Sequence, residues 1–251
     1  FVDWYQNGFW TDQYIPYALV DQNRVIANAS VNIMRTIWQT KPRRYIQIGT
    51  VMTDAAYRKR GLSRRLITEI LSDWKDQSDG IYLFANETVL DFYPKFGFQK
   101  AIEYQYAIPV TAGKGDFRKL NMEQESNRAL LLQCYEKSNP FSRLPMIGNE
   151  GLLMFYCAGL MKNHVYYSEK HDTVCIAGHN NGTLQCFDIF GSPKASLETI
   201  LSEISPSSTR QAVLGFTPNS TKHGSCSKIE GEDTLFVWKE KENIFANQKM
   251  M

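Results

Sequence analysis

The sequence predicts a mixed α/β fold (α+β, mixed sheets) built as two successive lobes. Three observations predict it. Segments of strand length alternate with helical periodicity, which excludes an all-α or all-β chain. The element order up to Ile108 reads β-β-β-α-β-α-β, and after an opening pair of helices the second half reads β-β-β-α-β-β. Between them lies Thr111-Ala112-Gly113-Lys114-Gly115, the best linker in the chain.

Each element has its own justification. Tyr14–Val20 and Val25–Met34 flank the polar turn Asp21-Gln22-Asn23-Arg24 and read as a hairpin. Tyr45–Thr53 is β-rich with Gly49 inside it, and a glycine within a strand marks a bulge or a close backbone approach. Leu62, Leu66, Ile67, Ile70, Leu71 and Trp74 share one face at helical spacing. Ser78-Asp79-Gly80 ends that helix and Ile81–Ala85 follows as a short buried strand. Asn86 is placed to cap a short helix through Tyr93, stopped by Pro94 and Gly97, and Ala101–Ile108 is the last strand of the first half. Helices are expected near Met122–Ser138, Glu150–Met161 and Lys194–Ile204. Strands are expected at His164–Ser168, Thr173–Ala177, Thr183–Phe190, Gln211–Phe216 and Thr234–Lys239, with Asn180-Asn181-Gly182 as a hairpin turn. Similar order in the two halves points to internal structural duplication.

Composition bounds the function. With 251 residues, 43% hydrophobic, 22% charged and a net charge of +2, the chain is globular and carries no bulk charge that would advertise nucleic acid. Basic residues interleaved with aromatics are missing as well. The first thirty residues hold Asp3, Asp12 and Asp21 and no continuous apolar core, so they do not read as a signal peptide. The longest apolar run, Gly151–Met161, is far short of the ~20 residues of a spanning helix. Five cysteines without close pairing suit a reduced interior, and the expectation is a cytoplasmic protein without membrane partners.

The charge is unevenly placed. Up to Val110 there are 13 basic and 11 acidic residues, and after it 15 of each. Five cations (Arg58, Lys59, Arg60, Arg64, Arg65) crowd eight residues at the start of the strongest helix. A helix N-terminus already carries about half a positive charge, so cations there cost stability unless an anion occupies the site. The unpaired N–H groups of a helix start bind anions, and Gly61 lets a ligand approach the backbone. The loop is neither a P-loop nor a dinucleotide fingerprint, since neither pattern occurs in the chain.

Arg58-x-x-Gly61-x-Ser63, after a strand and opening a helix, resembles the pyrophosphate loop of the GNAT (GCN5-related) N-acetyltransferases, [Q/R]-x-x-G-x-[G/A]. Ser63 replaces the final small residue. Asn86-Glu87-Thr88-Val89-Leu90-Asp91-Phe92-Tyr93-Pro94-Lys95-Phe96-Gly97-Phe98 resembles the family's N-x-x-A-x-x-x-Y-x-K-x-G-F segment, with Val89 in place of Ala. The resemblance covers Arg24–Ile108. It implies a GNAT acetyl-CoA-binding catalytic domain over residues 1–110 and a degenerate GNAT-like domain over residues 116–251 that shapes the substrate cleft. The backbone of Val51, Met52 and Thr53 would pair with the pantetheine arm of acetyl-CoA, the co-substrate. The amides of Arg58, Lys59, Arg60, Gly61, Leu62 and Ser63 would hold the pyrophosphate, with Arg64 as an added phosphate contact. Asn86 would lie near the pantetheine.

Tyr93 matches the tyrosine the family places beside the cofactor sulfur, which implies a general acid for the departing thiolate. On residues alone it reads equally as a core tyrosine. The implied activity is transfer of an acetyl group to a primary amine, on a small molecule or a peptide, by direct attack; a homo-oligomer is compatible with it. The alternative is a non-catalytic acyl-CoA sensor or interaction module, because Val25–Met34 and Tyr45–Thr53 hold no carboxylate to serve as base. Glu87, Asp91 and Glu103 are base candidates by sequence proximity only.

The two halves together resemble the enhanced-intracellular-survival (Eis) acetyltransferases, which append a further lobe. Those relatives use the terminal carboxylate as base, a role not carried to Met251. The second half has Gly191-Ser192-Pro193-Lys194 where a basic glycine loop would stand, so it should not bind coenzyme A. No metal is expected: His171-x-x-x-Cys175-x-x-x-His179 is explained by alternation on a strand pair. His223 and Cys226, in a Ser/Gly-rich loop, add no clearer signal. Trp4, Trp10 and Trp38 read as core, with an entrance for an amine as the second reading.

Overall fold

The structure is a computed structural model and describes residues 1–220 and 224–240; His223 and Met251 lie outside the described residues. The first half contains α1 (Val2–Gln6), β1 (Tyr14–Asp21), β2 (Arg24–Trp38), β3 (Lys41–Thr53), α2 (Leu62–Trp74), β4 (Gly80–Asn86), β5 (Gln99–Lys100) and β6 (Tyr104–Pro109). It continues with β7 (Arg118–Lys119), α3 (Glu125–Glu136), β8 (Met146–Ile147), α4 (Glu150–Phe155), β9 (Val165–Ser168), β10 (Thr173–Asn180) and β11 (Thr183–Gly191). The remaining elements are α5 (Leu197–Ile204), β12 (Gln211–Leu214), β13 (Ser225–Lys228) and β14 (Asp233–Trp238).

Two seven-stranded mixed sheets result. The first runs β1-β2-β3-β4-β14-β5, with β8 paired to β2, and the second runs β13-β6-β12-β11-β10-β9-β7. The chain does not divide between them at the expected point. The strand at Tyr104–Pro109, expected to finish the first sheet, pairs with β12 and β13 of the second. In return β14, from the far end of the described chain, inserts between β4 and β5 of the first. The exchange places Phe236 and Trp238 in the first core, where the Trp238 indole donates to the Phe96 carbonyl at 2.9 Å.

The two sheets repeat one pattern of strand senses. In the first, β1-β2 and β2-β3 are antiparallel, β3-β4 parallel, and β14 antiparallel to both neighbours. In the second, β9-β10 and β10-β11 are antiparallel, β11-β12 parallel, and β6 antiparallel to both neighbours. In each, one helix joins the parallel pair: α2 buries Leu66, Ile67, Ile70, Leu71 and Trp74, and α5 buries Leu197, Ile200, Leu201 and Ile204. A fully buried aliphatic side chain contributes roughly 1.5–3 kcal/mol, so each helix is held by its face rather than by its propensity.

Several expectations change in detail. The helix expected from Asn86 through Tyr93 is two 3₁₀ turns, Glu87–Val89 and Tyr93–Phe96, the second with Pro94 near its start and closed by Gly97 at φ +91°. The helix at Glu150 ends at Phe155 and widens into a π turn over Tyr156–Leu160. The link Thr111–Gly115 is a strap rather than a loose connection. Ser202 donates its hydroxyl to the Thr111 carbonyl at 2.6 Å, and the Gly113 N–H donates to the Ser202 carbonyl at 2.9 Å. A Cβ on Gly115 would come within 2.5 Å of the Glu203 carbonyl oxygen. The hairpins fall where the turn residues put them, with Gln22 and Asn23 at φ +47° and +62° and Asn181 and Gly182 at +45° and +78°.

Candidate acyl-donor site

The site begins with a bulge in β3. Asn28 of β2 opposes Met52 and Ser30 opposes Gly49, so Ala29 faces two residues, Thr50 and Val51. Thr50 takes φ +51°, an outlier for a β-branched residue and a mark of a held conformation. The extra residue changes the facing of the strand. Ile46 and Ile48 pack toward α2 before the bulge, and Val51 and Thr53 do so after it. Without the bulge Thr53 would point away from the helix. Instead its hydroxyl lies 2.8 Å from that of Ser63 in the first turn of α2.

Beyond the bulge the two central strands part. Their parallel pairing runs from Tyr45–Gly80 to Ile48–Leu83 and stops, although β3 continues to Thr53 and β4 to Asn86. A cleft of about 850 Å³ fills the opening. It is lined by Val51, Met52, Thr53, Arg58, Lys59, Gly61, Leu62, Ser63 and Arg64, together with Tyr57, Thr88, Val89 and Phe92. Met52 stands 61% exposed there, an apolar side chain with no protein cover.

The floor is the N-terminus of α2. Its N-cap, Gly61, sits at φ +77° and supplies no capping side chain, and its first turn holds no acid. The first N–H groups of the helix therefore lack intrahelical partners and face the same end as the positive pole of the dipole. Lys59 at φ +64° and Gly61 at φ +77° both take the left-handed conformation, so the loop turns sharply before the helix. The loop is anchored from outside: Asp54 accepts from Ala56 N–H at 2.9 Å and pairs with Arg24 at 2.6 Å, and Tyr57 donates to Asp21 at 2.7 Å.

Of the residues singled out by the sequence, nine line the cleft and three do not. Arg60 turns outward, donating to the Ala56 carbonyl at 3.3 Å and lying over the Tyr57 ring at 4.8 Å. Asn86 caps the 3₁₀ turn, accepting from the Thr88 N–H at 3.1 Å and hydroxyl at 2.5 Å. Tyr93 is 5% exposed, its ring against Phe92, Phe98 and Phe236, with burial raising the hydroxyl pKa. Glu103, half-buried, has its carboxyl pKa raised by burial first and by Asp233 second, and it lies outside the cleft lining, as do Glu87 and Asp91. Among the described residues no group of three or more His, Cys, Asp or Glu is placed to hold a metal. His171 instead meets Glu203 at 2.9 Å and Cys175 is fully buried. No helix among the described residues is long and apolar enough to cross a membrane.

A bulged strand parting from its parallel neighbour over an uncapped basic helix start is what the sequence resemblance demands, and residues 9–101 match the family model described as an acetyltransferase (GNAT) domain. This segment is similar to a GNAT domain. The fold of the whole chain is similar to solved structures of the same kind. A conserved protein of unknown function from Enterococcus faecalis V583, described as a probable N-acyltransferase, is 15% identical with a TM-score of 0.61; the match covers 90% of this chain and 62% of that one. A GCN5-related N-acetyltransferase from Kribbella flavida is 16% identical at TM-score 0.54, covering 94% and 61%. Eis1 from Mycobacterium abscessus is 14% identical at 0.56, covering 88% and 63%. The chain thus spans about three fifths of the length of the structures it resembles. No curated protein matches the sequence.

Sequence reasoning missed four residues at the bulge. Asn28 donates to the Thr50 carbonyl at 3.0 Å and to the Ser30 hydroxyl at 3.2 Å. The Tyr14 hydroxyl lies 2.7 Å from that of Ser30 and 3.3 Å from that of Thr50. Only the alternation of small polar residues along Asn28-x-Ser30, on an otherwise apolar strand, hinted at them.

Proposed function

We propose that the chain is an acetyl-CoA-dependent N-acetyltransferase acting on a primary amine. The observation that carries this reading is the uncapped, acid-free start of α2 opening into the cleft between β3 and β4. A phosphate-bearing ligand supplies the negative charge that this helix start lacks. The parted edge of β3 offers backbone groups to an extended amide-containing arm, as an added strand would. Arg58 and Arg64, both lining the cleft, neutralise phosphate charge, and Met52 covers the apolar part of the arm.

The chemistry is direct. A neutral amine attacks the thioester carbonyl, the C–N bond forms, the C–S bond breaks, and the nitrogen gives its proton to solvent. Oxyanion charge develops at the carbonyl, and the bulge leaves backbone N–H groups outside the strand ladder to meet it. The thiolate that leaves takes a proton from Tyr93. Burial raises the pKa of that phenol, so it is protonated at neutral pH. The phenol is afterwards reprotonated from water. The chain works as an enzyme of the reducing interior, with acetyl-CoA as co-substrate and no metal.

Incubation with acetyl-CoA and a panel of amines, following free thiol, tests the reading. Release with at least one amine is expected. Tyr93→Phe should lower turnover by about a hundredfold while leaving coenzyme A affinity nearly intact. Tight coenzyme A binding without release from any amine would favour the sensor, and collapse of affinity in Tyr93→Phe would make Tyr93 structural.

A further inference from the structure

The bulge of β3 carries its strain on the residue least suited to it. A bulge that needs one residue at positive φ takes glycine there with least strain. Gly49 stands beside that position, has no positive φ of its own, and has nothing within 4 Å of a Cβ built on it. The positive φ, +51°, falls instead on Thr50, whose branched Cβ resists it. The strain is kept although exchanging the two residues would remove it, so the threonine side chain serves this position.

A closed ring of contacts surrounds it. Asn28 uses both protons of its amide here, Nδ2 donating to the Thr50 carbonyl at 3.0 Å and to the Ser30 hydroxyl at 3.2 Å. The Tyr14 hydroxyl lies 2.7 Å from that of Ser30 and 3.3 Å from that of Thr50, which completes the ring. Its members are themselves held. Ser30 is fully buried, the Trp10 indole donates to the Tyr14 carbonyl at 3.2 Å, and the rings of Trp4 and Trp10 meet that of Tyr14 edge-on. Tyr14, Asn28 and Ser30 face away from α2, since Ile15, Ala29 and Val31 beside them pack into the core on the α2 side. The cleft wall starts at the very next residue of β3, with Val51, Met52 and Thr53, and Met52 directly opposes Asn28.

We propose that Tyr14, Asn28, Ser30 and Thr50 form a latch that fixes the bulge, and that Asn28 and Tyr14 are positioning residues for the cleft. They act through the backbone of Val51–Thr53 rather than on a ligand. With the latch closed, Thr50 keeps its positive φ and the strand beyond it turns Val51 and Thr53 toward α2, where Thr53 meets Ser63. With it open, Thr50 relaxes to an ordinary extended φ, the extra residue leaves the bulge, and the side chains after it change face. The proposal rests on the cleft taking coenzyme A, and it names residues remote from the phosphate loop that set how tightly it does so.

Calorimetric titration of the full chain with coenzyme A reads the latch without any amine. Asn28→Ala should weaken binding about tenfold, the scale of one to two hydrogen bonds. Thr50→Gly added to Asn28→Ala should restore affinity to within about threefold of wild type, since glycine holds the positive φ unaided. A role in stability alone would show no such recovery. Asn28→Asp, which sets a carboxylate against the Thr50 carbonyl, should lose more than Asn28→Ala. Tyr14→Phe, which keeps the ring, should lose about threefold. Unchanged affinity in Asn28→Ala, or a loss that Thr50→Gly leaves in place, would overturn the latch, and thiol release from acetyl-CoA with an amine would then leave the transferase standing. The expected affinity pattern without release from any amine would do the reverse.

Discussion

The two lobes share strand order, strand senses and even a defect, yet in one the parallel strands part after it and in the other the Gly215 N–H still donates to the Cys186 carbonyl at 2.8 Å. In the first, β3 bulges just after its last parallel pair, Ile48–Leu83. In the second, β11 bulges at Phe187, just after Cys186–Leu214. The residue after each last pair then decides the outcome. Phe84 follows in the first lobe, with a side chain 44% exposed, and the strands part. Gly215 follows in the second, pressed so closely that a Cβ would lie 2.5 Å from the Phe187 carbonyl oxygen. The helices differ in the same direction. α5 has its own cap, the Ser196 hydroxyl accepting from Thr199 N–H at 3.3 Å, and Glu198 in its first turn, whereas α2 has neither. A duplicated fold therefore does not carry a duplicated site. The site is made by what one copy leaves unsatisfied.

That contrast can be broken from the largest effect down. Because β14 completes the first sheet, a chain ended at Gly231 should lose both cooperative unfolding and coenzyme A binding. Survival of either in urea titration and calorimetry would show that the exchanged strand is dispensable. Phe236→Ala, removing a fully buried ring contributed by that strand, should cost about 3–5 kcal/mol by urea unfolding. Ser196→Ala, which uncaps α5, should cost about 1 kcal/mol and leave coenzyme A affinity alone. Arg64→Glu should act with opposite signs on the two properties. An acid in the first turn of α2 stabilises the helix by about 0.3–1 kcal/mol, while coenzyme A affinity falls. Equal losses in both would mean that Arg64 is structural.

The smallest effect is in acid. Glu203, held by Lys170 at 2.6 Å and by His171, has its pKa lowered by those partners, with Lys170 the larger cause. A lowered folded-state value means a stabilisation present above the unfolded glutamate pKa of about 4.3 and lost as pH falls through the folded one. Thermal midpoints of wild type and Glu203→Gln should therefore converge in acid and separate toward neutrality.

Much of this was legible in the sequence because it is local. The hairpins follow from Gln22-Asn23 and Asn181-Gly182, and α2 from its apolar spacing. The cleft follows from the basic loop and from Gly49 beside the bulge. What was not legible depends on pairing between distant segments. Nothing in Tyr104–Pro109 or Asp233–Trp238 says which sheet each joins, since both are simply apolar strands. Thr50 carries no local sign of its positive φ, which is imposed by Asn28 and the register of β2. Arg60 and Asn86 were assigned by motif, and the structure shows neighbouring groups, Tyr57 and Thr88, occupying their side chains. The tryptophans near the start read as core, and Trp4 is indeed buried.

The stoichiometry of coenzyme A binding tests the central claim most directly. Calorimetric titration should give one coenzyme A per chain, with affinity lost in Arg58→Glu and unchanged in Lys194→Glu at the corresponding helix start of the second lobe. Two sites per chain, or binding that survives Arg58→Glu and fails in Lys194→Glu, would contradict it.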